Sequence, residues 1–257
     1  MLLHVGIVSA LVSAGLVMAA EDPLIGTWKL DPSKSQLTGT TFKYEDAGGG
    51  KIRYSHGDDS YWFTTDGVEH KSLYDRMVSV KQTNPTTWER TSRLNGKVLG
   101  TTTLKLSNNG KTLTQDFTST RPDGSHESGT DVYERVGTGS GFLGTWKNTQ
   151  VKENSPAIYQ FEPNGADGVS WNIPSYQAKC PLKYDGKDYP ATGPTIPKGM
   201  TLAVTKTNPR SFDLVQKVNG KPVFKGSFTV LPDGKTLSMR GSPTGVNEPT
   251  TAVYIKQ

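Results

Sequence analysis

Cysteine is almost missing from this chain. Cys180 is the only one, so no internal disulfide can form and burial alone must hold the fold. Cys180 itself reads as a small buried apolar side chain, with a reactive thiol or a dimer bridge as the alternatives. Runs of like charge are missing too. The net charge of +5 comes from Lys and Arg scattered singly, which describes a solvated surface and argues against a nucleic-acid partner. Beyond the first segment no stretch is apolar enough to span a bilayer. No segment sustains a helical apolar period, so helices should be short or absent. The chain also lacks a Gly-x-Ser-x-Gly elbow, a Walker loop, a His-Glu-x-x-His helix and paired cysteines. That leaves no catalytic motif, no metal signature and no cofactor fingerprint.

Histidine is scarce. His56, His70 and His126 all fall in the first half, at spacings that fit no metal-ligand pattern, and the expectation is solvent-facing histidines on hairpins. Asp58-Asp59, inside Gly57-Asp58-Asp59-Ser60, reads as a turn in which Asp bonds its own backbone rather than as a cation site.

What is present begins with residues 1–20. Leu2 to Ala20 carries no Lys, Arg, Asp or Glu and ends in Val17-Met18-Ala19-Ala20 before the polar Glu21-Asp22-Pro23. This is the pattern of a secretory signal peptide, although His4 stands where a Lys or Arg is usual. An uncleaved anchor is the alternative. Cleavage would leave a soluble chain of about 237 residues, enough for one or two domains. The expected location is exported, periplasmic or extracellular.

The strongest signal is internal repetition. Leu24-Ile25-Gly26-Thr27-Trp28-Lys29 returns as Phe142-Leu143-Gly144-Thr145-Trp146-Lys147. Thr83-Asn84-Pro85, Asn95-Gly96-Lys97 and Gly110-Lys111-Thr112-Leu113 return at one shared offset as Thr207-Asn208-Pro209, Asn219-Gly220-Lys221 and Gly234-Lys235-Thr236-Leu237. Val132-Tyr133 returns as Val253-Tyr254. The repeats divide the chain into a first unit, 21–136, and a second, 142–257, with Gly137-Thr138-Gly139-Ser140-Gly141 as a flexible linker, 137–141.

Each unit alternates β-branched and aromatic runs with turn signals at short intervals, the rhythm of a sandwich or barrel. Asn95-Gly96 and Asn219-Gly220 supply the two positive-φ residues of a type I′ hairpin. Consecutive hairpins make a meander, which must close or cover its edges. The expected fold is therefore all-β: two tandem antiparallel meander β-barrels. The Gly-x-Trp of the first strand, the meander and its Tyr-bearing last strand resemble lipocalin-like (calycin-type) barrels. GTWKLDPSKS and KYDGKDYP resemble, more narrowly, a group of exported bacterial lipocalin-like domains. The resemblance implies that Trp28 and Trp146 are structural, each plugging the closed end of a barrel.

Aligning the copies yields a candidate site. Phe212, Leu214, Gln216 and Val218 share one strand face and should point inward. Their counterparts are Trp88, Arg90, Ser92 and Leu94, and Leu237 and Met239 answer to Leu113 and Gln115. A buried Arg is costly unless paired, and fatty-acid-binding barrels are similar in using an interior Arg for the ligand carboxylate. Arg90 and Gln115 are thus the expected polar contacts of a pocket in the first unit, with Trp88, Tyr54 and Phe63 as apolar wall. The alternatives for Arg90 are an acidic partner or the outer face, should the facing slip by one residue. The functional expectation is a non-enzymatic exported binding protein for small hydrophobic or amphipathic, anionic ligands. The competing readings are an envelope structural or interaction protein with filled barrels, and a calycin-like isomerase or cyclase.

Overall fold

The computed structural model describes residues 22–156 and 158–257. The expected signal peptide, 1–20, lies outside the described residues. The chain opens with β1 (Gly26–Leu30). It continues through β2 (Thr41–Gly48), β3 (Lys51–His56), β4 (Asp59–Phe63), β5 (Asp66–Lys71) and β6 (Met77–Asn84). Next come β7 (Thr87–Leu94), β8 (Lys97–Leu106), β9 (Thr112–Thr120), β10 (His126–Val136) and β11 (Gly144–Glu153). The remainder is β12 (Ile158–Pro163), β13 (Gly168–Ile173), β14 (Ala178–Lys183), β15 (Tyr189–Pro190) and β16 (Met200–Asn208), then β17 (Ser211–Val218), β18 (Lys221–Val230), β19 (Thr236–Pro243) and β20 (Thr250–Lys256). The helices among the described residues are two 3-10 turns, Pro32–Lys34 and Pro174–Tyr176, and none is long and apolar enough to cross a membrane.

These strands form two ten-stranded antiparallel sheets, each curled into a nearly closed barrel. Period-two side chains drive the closure. In β14, Ala178, Cys180 and Leu182 are buried while Lys179, Pro181 and Lys183 are exposed, so one face has to meet a core. The expected hairpins form at Asn95-Gly96 (φ 50° and 77°) and Asn219-Gly220 (φ 51° and 77°), whose twist matches that of the flanking strands.

The sheets do not follow the repeats of the sequence. β11, the first strand of the second repeat, pairs with β10 and β2. β1, the first strand of the first repeat, pairs with β12 and β20. The first barrel is the unbroken run β2–β11, and the second is β1 with β12–β20. Residues 137–141, read above as a linker, belong to the loop of the β10–β11 hairpin, where Val136 faces Thr145. A Gly/Ser segment satisfies a hairpin loop as readily as a linker, which is why composition alone misplaced it. The chain instead enters the first barrel at 37–39 and returns to the second between β11 and β12: Gln36 N–H still bonds Thr251 of the second barrel at 2.7 Å, and Gly39 N–H bonds Asn148 of the first at 2.9 Å.

Trp146 and Trp28 are fully buried, one at the heart of each core, and each serves the barrel opposite its own repeat. Their indoles donate to Phe142 O (2.9 Å) and Leu24 O (2.8 Å). Arg135 covers the Trp146 ring at 4.2 Å and Lys256 the Trp28 ring at 5.3 Å. The glycine of each Gly-x-Trp is required: Gly26 and Gly144 sit at φ 135° and 134°, and a Cβ there would strike Lys256 or Arg135 at 2.6 Å.

Candidate functional site

Beside its hydrophobic core the first barrel buries a group of polar side chains. Arg90, central on β7, lies opposite Thr102 of β8 in register, and its Nη2 donates to Thr102 Oγ1 at 3.1 Å. The strand alternation that buries Trp88 and Leu94 turns Arg90 inward with them. Its charge faces Tyr44, Tyr61, Tyr54 and Tyr133. Burial pushes all four hydroxyls above the ordinary phenol value, against the opposing charge of Arg90. They are therefore neutral O–H donors at physiological pH. Among the described residues Arg90 forms no ion pair. The nearby Asp131 carboxyl is held above the usual carboxylate range by burial, while Tyr133 and Arg90 pull it the other way. Tyr133 O–H donates to Asp131 Oδ2 at 3.4 Å.

Arg90 also lines a cavity of about 400 Å³ that opens between Ser92, Thr101, Phe117 and Thr118. The tyrosines do not line it, so Arg90 stands between them and the cavity. Two more arginines reach the same space. Arg121 is paired with Glu127 at 2.8 Å. Among the described residues Arg76 forms no ion pair; its Nε is buried without a hydrogen-bond partner, and burial works against its charge. Asp75, just before it, and Tyr74 adopt left-handed conformations at φ 60° and 58°, costly for residues other than Gly. The cavity thus presents three arginines to one carboxylate, Glu127, which pairs with Arg121. Such a lining favours an anion with hydroxyl or carbonyl groups for the surrounding Ser and Thr side chains.

The second barrel completes the mouth. Tyr176, in the 3-10 turn Pro174–Tyr176, and Thr195 line the cavity. Tyr176 O–H donates to Glu127 Oε2 at 2.6 Å, and Arg121 Nη2 donates to Ser155 O at 2.5 Å. Neighbours of these residues, Ile173, Ala178 and Ile196, line a separate cavity in the second barrel.

Of the residues singled out from the sequence, Arg90 lines the cavity; Gln115 is buried, 7% exposed, but is not part of the cavity's lining. Tyr54 lies in the tyrosine group around Arg90. Trp88 and Phe63 sit instead in the packed core, Trp88 stacked on Phe142 at 3.9 Å between centroids. Arg76, Tyr44, Tyr61, Asp131 and Tyr176 were not picked out. The inward period of β2, β3 and β4 carried the tyrosines, but these strands have no readable match in the second repeat.

The histidines are locally engaged. His56 Nδ1 is 2.7 Å from Thr41 O, and His70 Nε2 is 2.7 Å from Thr64 Oγ1. Among the described residues no three His, Cys, Asp or Glu side chains gather as a metal site. Cys180 is buried, and burial pushes its thiol up to about 11. No protein-family model matches the chain, and no curated protein shows significant similarity to it.

Proposed function

We propose that the protein is an exported, periplasmic or extracellular, non-enzymatic binding protein whose first barrel holds a small amphipathic anion, in the manner of a lipocalin-like barrel. One observation carries the reading: Arg90 reaches the wall of a 400 Å³ cavity with a hydroxyl, Thr102 Oγ1, as its hydrogen-bond partner, while the one carboxylate of that wall, Glu127, is taken by Arg121. Burying an arginine without an ion pair costs stability, and a bound anion supplies the missing charge.

The test is Arg90→Leu, which the fold tolerates sterically because Leu214 occupies the matching place in the second barrel. Charge-assisted hydrogen bonds contribute about 1.5–3 kcal/mol. Affinity for a fluorescent fatty acid should therefore fall roughly 10- to 100-fold, with the thermal midpoint confirming that the variant is folded. Undiminished affinity overturns the proposal.

A calycin-like isomerase or cyclase is the second reading. The raised carboxyl of Asp131 beside Tyr133 is the observation that favours it, since perturbed acids cluster at catalytic sites. A binding protein should keep or improve its affinity in Asp131→Asn.

A further inference from the structure

Strand register superimposes the two barrels position by position. In the first, Gly144 faces Tyr44, which faces Tyr54, which faces Tyr61. In the second, Gly26 faces Phe161, which faces Trp171, which faces Cys180. Across the remaining strands Arg90 answers to Leu214, Gln115 to Met239 and Asp131 to Ala252. At all six places a polar side chain of the first barrel is replaced by an apolar one or, at Cys180, a buried thiol. Beside these six, Phe42 answers to Tyr159 and Ser92 to Gln216, so the second barrel keeps a hydroxyl and an amide on an otherwise more apolar wall.

A barrel made apolar in this way could simply be filled, but the second is not. It keeps a cavity of about 160 Å³, lined by Trp171, Cys180, Ile196, Met200 and Leu202 among others. The pocket is half open to solvent, with the exposed Lys179 in its lining, so a small molecule can reach its apolar wall. An apolar cavity of about 150 Å³ stays dry and accepts a benzene-sized molecule. No carboxylate lines this one, and its charged residue, Lys179, is exposed. Its amide, Gln216, donates from Nε2 to Met200 Sδ at 3.3 Å, although a thioether is a weak acceptor. A ligand carbonyl oxygen is the better partner.

From the cavity and the six replacements we infer that the second barrel is a separate site for a small neutral molecule, one apolar ring bearing a single hydrogen-bond acceptor. The inference goes beyond the anion reading of the first barrel and does not depend on it.

Acetophenone is the probe, and benzoate is its charged analogue of similar size. With the full chain, acetophenone should bind once by calorimetry and slow the alkylation of Cys180 by N-ethylmaleimide severalfold, whereas benzoate leaves that alkylation unchanged. Ala191→Phe, which fills the cavity, should abolish acetophenone binding and leave fluorescent fatty-acid binding intact; Met200→Phe does the same from the facing strand if the first variant fails to fold. Arg90→Leu should leave acetophenone binding unchanged. The inference falls if acetophenone neither binds nor protects Cys180, if benzoate protects the thiol equally, or if acetophenone binding follows Arg90 rather than the filled cavity. A failure of the anion reading appears only in the fatty-acid measurement, so the two outcomes stay distinct.

Discussion

An arginine inside a barrel must have its charge answered, and around Arg90 the fold supplies hydroxyls in place of an acid. Asp131 is the nearest candidate acid, yet burial holds its carboxyl above the usual range, so it weakens the fold when ionised. The sign follows from linkage: a carboxyl whose folded pKa is raised binds its proton more tightly in the folded state, so its stability cost appears as pH rises through the unfolded value. Asp131→Asn should therefore raise the thermal midpoint at pH 7 and leave it unchanged near pH 3, and it should tighten anion binding by removing a negative charge from Arg90's surroundings. A lower midpoint at pH 7 would contradict this account. The inward facing of Arg90 and Gln115 was legible in the sequence because alternation distinguishes inside from outside. Alternation says nothing of height along a barrel, so Trp88 and Phe63, on the same inner face, could not be told apart from cavity wall and proved to be core.

At the level of elements, β10 and the 3-10 turn Pro174–Tyr176 meet through Glu127. Its carboxylate accepts from Ser119 Oγ (2.5 Å), Arg121 Nε (2.8 Å) and Tyr176 O–H (2.6 Å). Burial opposes the charge, and these three donors outweigh it, holding the carboxyl below its ordinary value. A depressed carboxyl stabilises the fold above its unfolded pKa, and that contribution is lost as pH falls through the folded value. Tyr176, pushed up to about 12 chiefly by burial and then by Glu127, keeps its proton throughout this range. Glu127→Gln should cost about 2 kcal/mol at pH 7, the scale of hydrogen bonds to a charged group. The difference from the parent should shrink towards pH 3 in denaturant titrations; a pH-independent loss would mean that the charge is not the source. The β7–β8 hairpin was readable from Asn95-Gly96, because turn chemistry is local. The clamp was not, since it depends on where one barrel rests against the other.

For the molecule as a whole, the exchanged first strands explain why a duplication visible in the sequence did not reveal which strands pair. Gly26-Thr27-Trp28-Lys29 and Gly144-Thr145-Trp146-Lys147 are the same tetrapeptide, so either fits either barrel, and the contacts alone do not choose. Chain connection does. β10 runs straight into β11 through a short loop pinned by Arg135, whose Nε bonds Gly110 O at 2.8 Å and whose Nη1 and Nη2 bond Leu143 O and Gly141 O at 2.5 Å. Adjacent antiparallel strands need only such a hairpin, and closing a short loop costs less entropy than carrying β11 across to the other barrel. β1 then takes the vacant place between β12 and β20, making the first barrel an insertion within the second. This arrangement is testable with cysteine pairs in a Cys180→Ser background. Thr27 lies opposite Gln160, and facing residues of an antiparallel pair have Cα atoms about 4.5–5.5 Å apart, inside the range a disulfide spans. Were each repeat to keep its own first strand, Thr27 would instead face Lys43, the present partner of Thr145. Mild oxidation should close Thr27→Cys with Gln160→Cys within one chain and leave Thr27→Cys with Lys43→Cys reduced, as read by mass spectrometry of the intact protein. The opposite pattern would return β1 to the first barrel and make residues 137–141 a true linker.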